Sequence, residues 1–401
     1  MREQLLAASE QFGTPLYVYD CEHIRQQYKK LKDAFIEIPL AINYACKANS
    51  NVNILKLIHD LGGGIDVVSL EELELAKIAG FPPERIHFTS NGVPFHQIIA
   101  AIKAGAHITI DNLPQLEQLG MQFGSTYPVM LRLQPNILAG GHKKISTGHK
   151  ASKFGISILQ RDELLKIIDT YQINIVGIHI HTGSDISETV VFKQTVSVLL
   201  EYAELISSVK TIDIGGGFKV QYHKDDHESD MENLGKIIKQ ELSEFENKHK
   251  RRLNLIIEPG KYLLSGAGYF LTTVSLVKKT PFITFAFVNS GFNHLIRPMM
   301  YDAYHEIENL SNPDDKALKY DVVGYICETD TFATNRKISK INTGDILCFK
   351  NAGAYGFSMA SQYNSRFRPA EVMLNDGNIV LIRKPEEIED LLRTQIIKSK
   401  I

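Results

Sequence analysis

Between Ala41 and Ile257 the chain repeats one alternation: a short apolar run rich in branched residues, then a stretch with helical spacing. The strand-like runs are Ala41–Cys46, Gly64–Val68, Ile86–Thr89, His107–Ile110, Val129–Leu133, Ile175–Ile180, Thr211–Ile214 and Leu253–Ile257, eight in all. Helical patterns fall between them at Val52–Leu61, Leu70–Ala79, Gln97–Ala104, Glu163–Tyr171, Val190–Ser207 and Met231–Lys248. Strands that alternate with helices predict a parallel sheet, and eight units closing on themselves predict a (β/α)8 barrel of TIM type. The competing arrangement is an open doubly wound sheet, but no GxGxxG, that fold's common dinucleotide signature, follows the first strand.

After Gly268 the rhythm stops. The β-like stretches Phe270–Val277, Phe282–Asn289, Val322–Ile326, Asp345–Phe349, Glu371–Leu374 and Ile379–Arg383 follow with few helices, predicting a C-terminal all-β domain. Near the other terminus, Pro15–Asp20 reads as a strand and Glu22–Phe35 as an amphipathic helix. That early strand is expected to join the β domain, because a chain that leaves a module and returns usually has its ends close together. The predicted division is therefore a barrel over 27–271, with 1–26 and 272–401 forming the β domain. The polar breaks Gln221–Asp230 and Ser311–Lys316 read as surface insertions.

Composition narrows the function. A net charge of −2 and the lack of any basic block with interleaved aromatics argue against a nucleic-acid partner. Cys21, Cys46, Cys327 and Cys348 are widely spaced, without CxxC, so neither a zinc site nor a disulfide framework is expected. With no signal-peptide pattern and no apolar run long enough to span a bilayer, the expectation is a cytoplasmic protein without membrane contact.

Barrel enzymes carry their chemistry where strands end and the following loops begin. Those ends hold Lys47, Asp66, Asn91, Asp111, Arg132, His181 with Ser184, Gly215-Gly216-Gly217 and Glu258-Pro259-Gly260. Each alone has an ordinary explanation: a solvated lysine, aspartates capping helices, a satisfied core histidine, a glycine turn. Together they put a lysine, a glycine run and an acid on one rim. A desolvated lysine can form a Schiff base, glycines admit phosphate oxygens close to the backbone, and a carboxylate can favour a protonated pyridine nitrogen. Those are the demands of pyridoxal phosphate. His179 and His181 alternate onto one strand face, but no third ligand of suitable spacing follows, so no metal is expected.

The ordered motifs resemble the fold type III pyridoxal-phosphate decarboxylases, an alanine racemase-like barrel family, over nearly the whole chain, and within it the diaminopimelate branch. The carriers are Tyr44-Ala45-Cys46-Lys47-Ala48-Asn49, Gly177-Ile178-His179-Ile180-His181-Thr182-Gly183-Ser184, Ile214-Gly215-Gly216-Gly217 and Glu258-Pro259-Gly260. Arg297-Pro298-Met299-Met300-Tyr301-Asp302-Ala303, Gly324-Tyr325-Ile326-Cys327-Glu328, and Gly353-Ala354-Tyr355-Gly356 with Tyr363-Asn364 follow in order. Ile145-Ser146-Thr147-Gly148 with Lys153-Phe154-Gly155 is similar to a segment of the diaminopimelate branch.

The resemblance implies that Lys47 binds pyridoxal 5'-phosphate covalently, His181 stacks on its ring and Glu258 holds its pyridine nitrogen. It further implies cofactor contacts from Asp66, Arg132, Ser184, Gly216, Gly217, Pro259, Gly260, Lys261 and Tyr355. Lys261, Arg297, Tyr301, Glu328, Thr329 and Tyr355 would hold the substrate, and Cys327 would return a proton to the carbanion left as carbon dioxide departs. Cys327 and Glu328 would come from the other subunit of a homodimer with shared sites. Lys261 and Thr329 stand where the family usually has arginine and serine, and Ser90-Asn91-Gly92-Val93 replaces its third-strand Gly-Asn-x-Lys turn. The implied reaction is decarboxylation of meso-2,6-diaminopimelate to L-lysine, with Arg297 and Lys261 suited to the distal carboxylate and Glu328 to the distal ammonium. Sister substrates are ornithine, a D-amino acid or carboxynorspermidine; a silent regulatory homologue would be expected to have lost Lys47 or Cys327, and both are present.

Overall fold

All eight apolar runs are strands in the computed structural model, which describes residues 1–137, 148–149 and 152–398. After β1 (Leu16–Asp20) come β2 (Leu40–Ala45), β3 (Gly64–Val67), β4 (Ile86–Phe88), β5 (His107–Ile110), β6 (Val129–Gln134), β7 (Ile175–His179), β8 (Thr211–Asp213) and β9 (Asn254–Ile257). Strands β2 to β9 pair in parallel, each with its sequence neighbours, and β9 pairs with β2, which closes the barrel. Every residue of β3 and of β6 is buried, the pattern of strands covered on both faces. Register then fixes the rim. Ala45 lies beside Asp66, Arg132 beside His179, and His179 beside Asp213, so side chains remote in sequence end at one level.

The helices between strands start where short polar side chains satisfy open N–H groups. Asn51 caps α3 (Val52–Asp60), Ser69 caps α4 (Leu70–Ile78) and Asp230 caps α9 (Met231–His249). The helix α6 (Leu113–Phe123), absent from the sequence reading, is capped by Asn112 and buries Leu113, Leu116 and Leu119. Pro114 in its first turn and Gly120 inside it break the apolar pattern. A Cβ on Gly120 would stand 2.7 Å from that of Tyr171, so the glycine lets two helices approach.

The barrel unit comprises 25–221 and 227–263; Met1–Ile24, Tyr222–Asp226 and the chain from Leu264 onward form the second unit. In the latter, β1 lies between β10 (Gly268–Lys279), antiparallel to it, and β16 (Ala370–Asn375), parallel to it. The early strand is thus part of the C-terminal sheet, as expected from the sequence. The other strands are β11 (Thr284–Val288), β12 (Ile307–Asn309), β13 (Ala317–Val323), β14 (Thr331–Ser339), β15 (Ile346–Phe349) and β17 (Asn378–Arg383). The helix α1 (Arg2–Phe12), also unanticipated, places Leu5 and Ala8 against Leu16, Val18, Leu271 and Val372. Among the described residues no helix is long and apolar enough to cross a membrane.

Candidate active site

At the end of β2 the chain turns through a short 3-10 helix, Cys46–Ala48, that presents Lys47 on the rim with its side chain 40% exposed. Tyr44 braces this turn from below by donating its hydroxyl to the Asn49 carbonyl. The lysine is not sealed in a dry pocket, but it has a buried counter-charge: its Nζ lies 3.7 Å from Asp66 Oδ2. Asp66 does not cap a helix, since Ser69 does that work for α4. Burial first, then the charge of Glu258, push its carboxyl up to about 7.

Glu258 at the end of β9 is buried, and burial alone would raise its pKa; His179, Lys47 and His181 outweigh it and hold the group well below the usual carboxylate range. Nε2 of His179 is 3.4 Å from Glu258 Oε2. Burial pushes His179 itself down, against the opposing pull of the Glu258 charge. Asp213, the last residue of β8, was not singled out in the sequence, yet it faces the same spot. Ligating atoms of His179, Asp213 and Glu258 lie within 4.8 Å of one another. The acidic neighbours that spacing did not reveal for His179 therefore come from two other strands.

The glycine run has steric causes. Gly215 and Gly217 have φ of 66° and 90°, and a Cβ on Gly216 would fall 2.1 Å from the Glu258 carbonyl oxygen. Two of the three N–H groups are bonded within the rim, Gly215 to Asp213 Oδ1 at 2.8 Å and Gly216 to His181 Nδ1 at 3.3 Å. The second bond puts the His181 hydrogen on Nε2. Burial, with Lys47 and Arg132 adding to it, keeps that ring neutral. Backbone bonds tie the loops together: Glu258 N–H to Gly215 O, Ile186 N–H to Gly217 O, and Ala45 N–H to Pro259 O. Ser184 sits half-buried on the loop after His181, and Pro259 and Gly260 are buried.

Arg132 is buried, with its guanidinium 4.7 Å above the Phe154 ring. Asn91 donates to Asp111, giving the altered third-strand turn a structural partner. Lys261 is committed to an ion pair: its Nζ donates to Asp185 Oδ2 at 2.8 Å, and both side chains are largely covered. Ile145 to Thr147, part of the branch-specific segment, lie outside the described residues.

The second unit holds the remaining expected residues. Arg297 is 3% exposed and has no carboxylate within ion-pair distance among the described residues. Its guanidinium donates to the Tyr222 hydroxyl at 3.1 Å and faces His305 Nε2 at 3.4 Å; the other His305 nitrogen bonds the Lys350 carbonyl, so Nε2 is an acceptor. Arg297 opens a short helix, Arg297–Tyr301, which the half-buried Tyr301 closes. Cys327, Glu328 and Thr329 are exposed on one loop. Asn364 donates to Cys327 Sγ at 3.2 Å, and Tyr363 donates to Glu328. Asp330, missed in the sequence, holds this loop by accepting the N–H groups of Phe292 and Ile326. Glycine at 291 and 324 makes room for it, since a Cβ at either would come within 2.5 Å of its carboxylate. Tyr355 adopts φ 56° in the turn after Gly353.

The barrel rim suits pyridoxal phosphate. Asp66 Oδ1, Glu258 Oε1 and both ring nitrogens of His179 are buried without a hydrogen-bond partner among the described residues. Leaving such groups unpaired is costly, so a polar molecule is needed to complete the site. Lysine, ionised carboxylate, neutral imidazole and glycine turn are the donors and acceptors that cofactor requires.

The comparisons agree with this chemistry. Residues 21–265 match the family described as pyridoxal-dependent decarboxylase, pyridoxal binding domain. The diaminopimelate decarboxylase of Methanothermobacter thermautotrophicus is 36% identical, covering 98% of this chain and 94% of its own length. That of Aquifex aeolicus is 34% identical over 97% and 93%. The crystal structure of diaminopimelate decarboxylase from M. jannaschii in co-complex with L-lysine superposes with a TM-score of 0.90 at 32% identity, covering 98% of this chain and 94% of that one. The chain belongs to the pyridoxal-dependent decarboxylases and, among them, to the diaminopimelate decarboxylase family.

Proposed function

We propose that this protein decarboxylates meso-2,6-diaminopimelate to L-lysine and carbon dioxide with pyridoxal phosphate, the closing step of lysine biosynthesis. The observation that carries the reading is the rim itself, where Lys47 and an ionised Glu258 share one buried, incompletely hydrogen-bonded site in a chain similar end to end to diaminopimelate decarboxylases.

Lys47 Nζ is the covalent anchor, and Asp66 holds its charge. Glu258 would hold the pyridine nitrogen, His181 would stack on the ring, and Arg132 would supply positive charge. Ser184, Gly216, Gly217, Gly260 and Tyr355 serve the phosphate. With the Gly215 and Gly216 N–H groups bonded internally, the Gly217 N–H and the Ser184 hydroxyl, on two loops, are the donors that would serve the phosphate. When bound, pyridoxal phosphate supplies a cationic conjugated ring that accepts the electron pair left on the α-carbon as carbon dioxide leaves. Cys327 Sγ then gives that carbon a proton. Arg297, a buried cation without a carboxylate of its own, takes the distal carboxylate of the substrate; Glu328 takes the distal ammonium, and Tyr301 and Thr329 add hydroxyls. Lys261 acts as half of its pair with Asp185. Cys327 and Glu328 are supplied by the second subunit of a homodimer, in the cytoplasm.

Steady-state comparison of amino acids tests the substrate. An Arg297 left without the distal carboxylate would penalise ornithine, lysine and carboxynorspermidine by roughly 30-fold or more in kcat/KM. Equal or better values for any of them would reassign the protein to a sister decarboxylase. Mixing Lys47→Ala with Cys327→Ala tests the dimer. Restored activity after shown subunit exchange is expected, and a mixture that exchanges yet stays dead contradicts shared sites.

A further inference from the structure

We propose that Asp213 is a positioning residue for Glu258: its carboxyl O–H donates to the Glu258 carboxylate while its Oδ1 accepts the Gly215 N–H, so one side chain fastens the acid to the glycine turn. This rests on the reading of Glu258 as the partner of the pyridine nitrogen. Two observations carry it. The Gly215 N–H reaches Asp213 Oδ1 at 2.8 Å, and carboxylate oxygens of Asp213 and Glu258, both buried, lie within 4.8 Å of each other.

Two buried carboxylates in contact repel, so such a pair retains a proton that bonds one to the other. The surroundings decide which acid keeps it. Glu258 has Nε2 of His179 at 3.4 Å and the charge of Lys47, both favouring its anion. Asp213 has the Gly215 N–H, which is not enough: burial, then the Glu258 charge, push Asp213 well above the ordinary carboxylate range. Asp66 and Arg132 are the other charged groups facing the pair, and the Lys47 contact of Asp66 leaves Asp213 as the proton holder nearest Glu258. Asp213 lies at the end of β8 and Gly215 two residues on, so the arrangement needs only one side chain turned toward β9. The carboxyl that faces the ring nitrogen and the turn assigned to the phosphate thereby move as one piece.

An amide at this position retains both bonds, because asparagine Oδ1 accepts from Gly215 and Nδ2 donates to Glu258. Alanine retains neither. The test is equilibrium dialysis of pyridoxal phosphate against wild type, Asp213→Asn and Asp213→Ala, with the pH midpoint of the bound cofactor's visible band read on each. Asp213→Asn is expected within about threefold of wild type in affinity with an unmoved midpoint, and Asp213→Ala weaker by roughly tenfold or more with a displaced one. An Asp213→Asn variant as weak as Asp213→Ala would show that a charge, not a shared proton, is required, and so overturn the proposal. So would an Asp213→Ala variant equal to wild type. If the alanine variant does not fold, Asp213→Asn decides alone: native affinity and midpoint support the assignment, and a tenfold loss refutes it. A wild type that takes up no pyridoxal phosphate would instead overturn the reading of the whole rim.

Discussion

At the carboxyl ends of the barrel strands, Lys47, Asp66, Arg132, His179, Asp213 and Glu258 converge as charges and near-charges. At the amino ends, His87 and His107 meet in an apolar mouth. The histidines are paired neighbours on β4 and β5, with ring centroids 4.8 Å apart, beside a cavity of about 420 Å³ walled by residues such as Leu40, Ile108, Met130 and Ile256. Both ends leave buried polar atoms without hydrogen-bond partners among the described residues, Nδ1 of His87 at one and Asp66 Oδ1 and Glu258 Oε1 at the other. The difference lies in how burial is answered. His87, pushed down to about 3 by burial and then by His107, simply gives up its charge. Glu258 keeps its charge against burial because cations and imidazoles surround it. A mouth that neutralises its polar groups is a finished part of the core. A rim that keeps Glu258 ionised, with buried oxygens of Glu258 and Asp66 unbonded among the described residues, is arranged for a ligand.

Four substitutions test that contrast, from the largest effect to the smallest. Lys47→Ala removes the covalent anchor; turnover should fall by roughly 1000-fold or more and the borohydride-reducible visible absorbance should vanish. A variant that keeps both would refute the role of Lys47. Glu258→Gln should still bind the cofactor but lower kcat by roughly 100-fold, since a neutral amide does not favour a protonated ring nitrogen; unchanged kcat at saturating substrate would contradict it.

Asp66→Asn acts on stability as well as activity. A carboxyl whose folded pKa is raised, from 3.8 to about 7, contributes stability below the lower value that is lost as pH rises through the upper one. The cofactor-free variant should therefore gain on wild type as pH climbs between those values, reaching roughly 2–4 kcal/mol above about pH 7 in urea midpoints. A constant difference across that window would place the burial cost elsewhere. His87→Leu, at the mouth, should leave kcat/KM within about twofold. Its stability effect runs the other way: a histidine with a lowered folded pKa loses stability as pH falls below about 6.5, so the variant should be firmer by about 1–2 kcal/mol near pH 5. A large change in kcat/KM would show that the two ends are not independent.

The regular parts of the fold were legible because burial on both faces writes strands as continuous apolar runs; His107–Ile110 falls on β5 residue for residue. The helix α6 was not, because Pro114 and Gly120 interrupt its spacing for reasons of capping and close approach that reside in other segments. Nor was α1, whose apolar residues have meaning only against β1 and β16. Asp213 on the rim and Asp330 in the second unit were overlooked. Each is one aspartate whose partners come from elsewhere in the chain, Glu258 for the first and Phe292 for the second.

Periodicity and turn chemistry are local properties of the chain, and they are enough to specify the barrel, the late sheet and which residue types stand at the strand ends. Which of those groups are charged depends on contacts between strands remote in the chain. Glu258 is ionised because His179 and Lys47, from two other strands, reach it. Asp66 titrates near 7 because burial and Glu258 outweigh Lys47. Lys261 is paired because Asp185, on a different loop, folds against it. Protonation depends on distance and burial, and both are set by register across the barrel, which no single stretch of sequence contains.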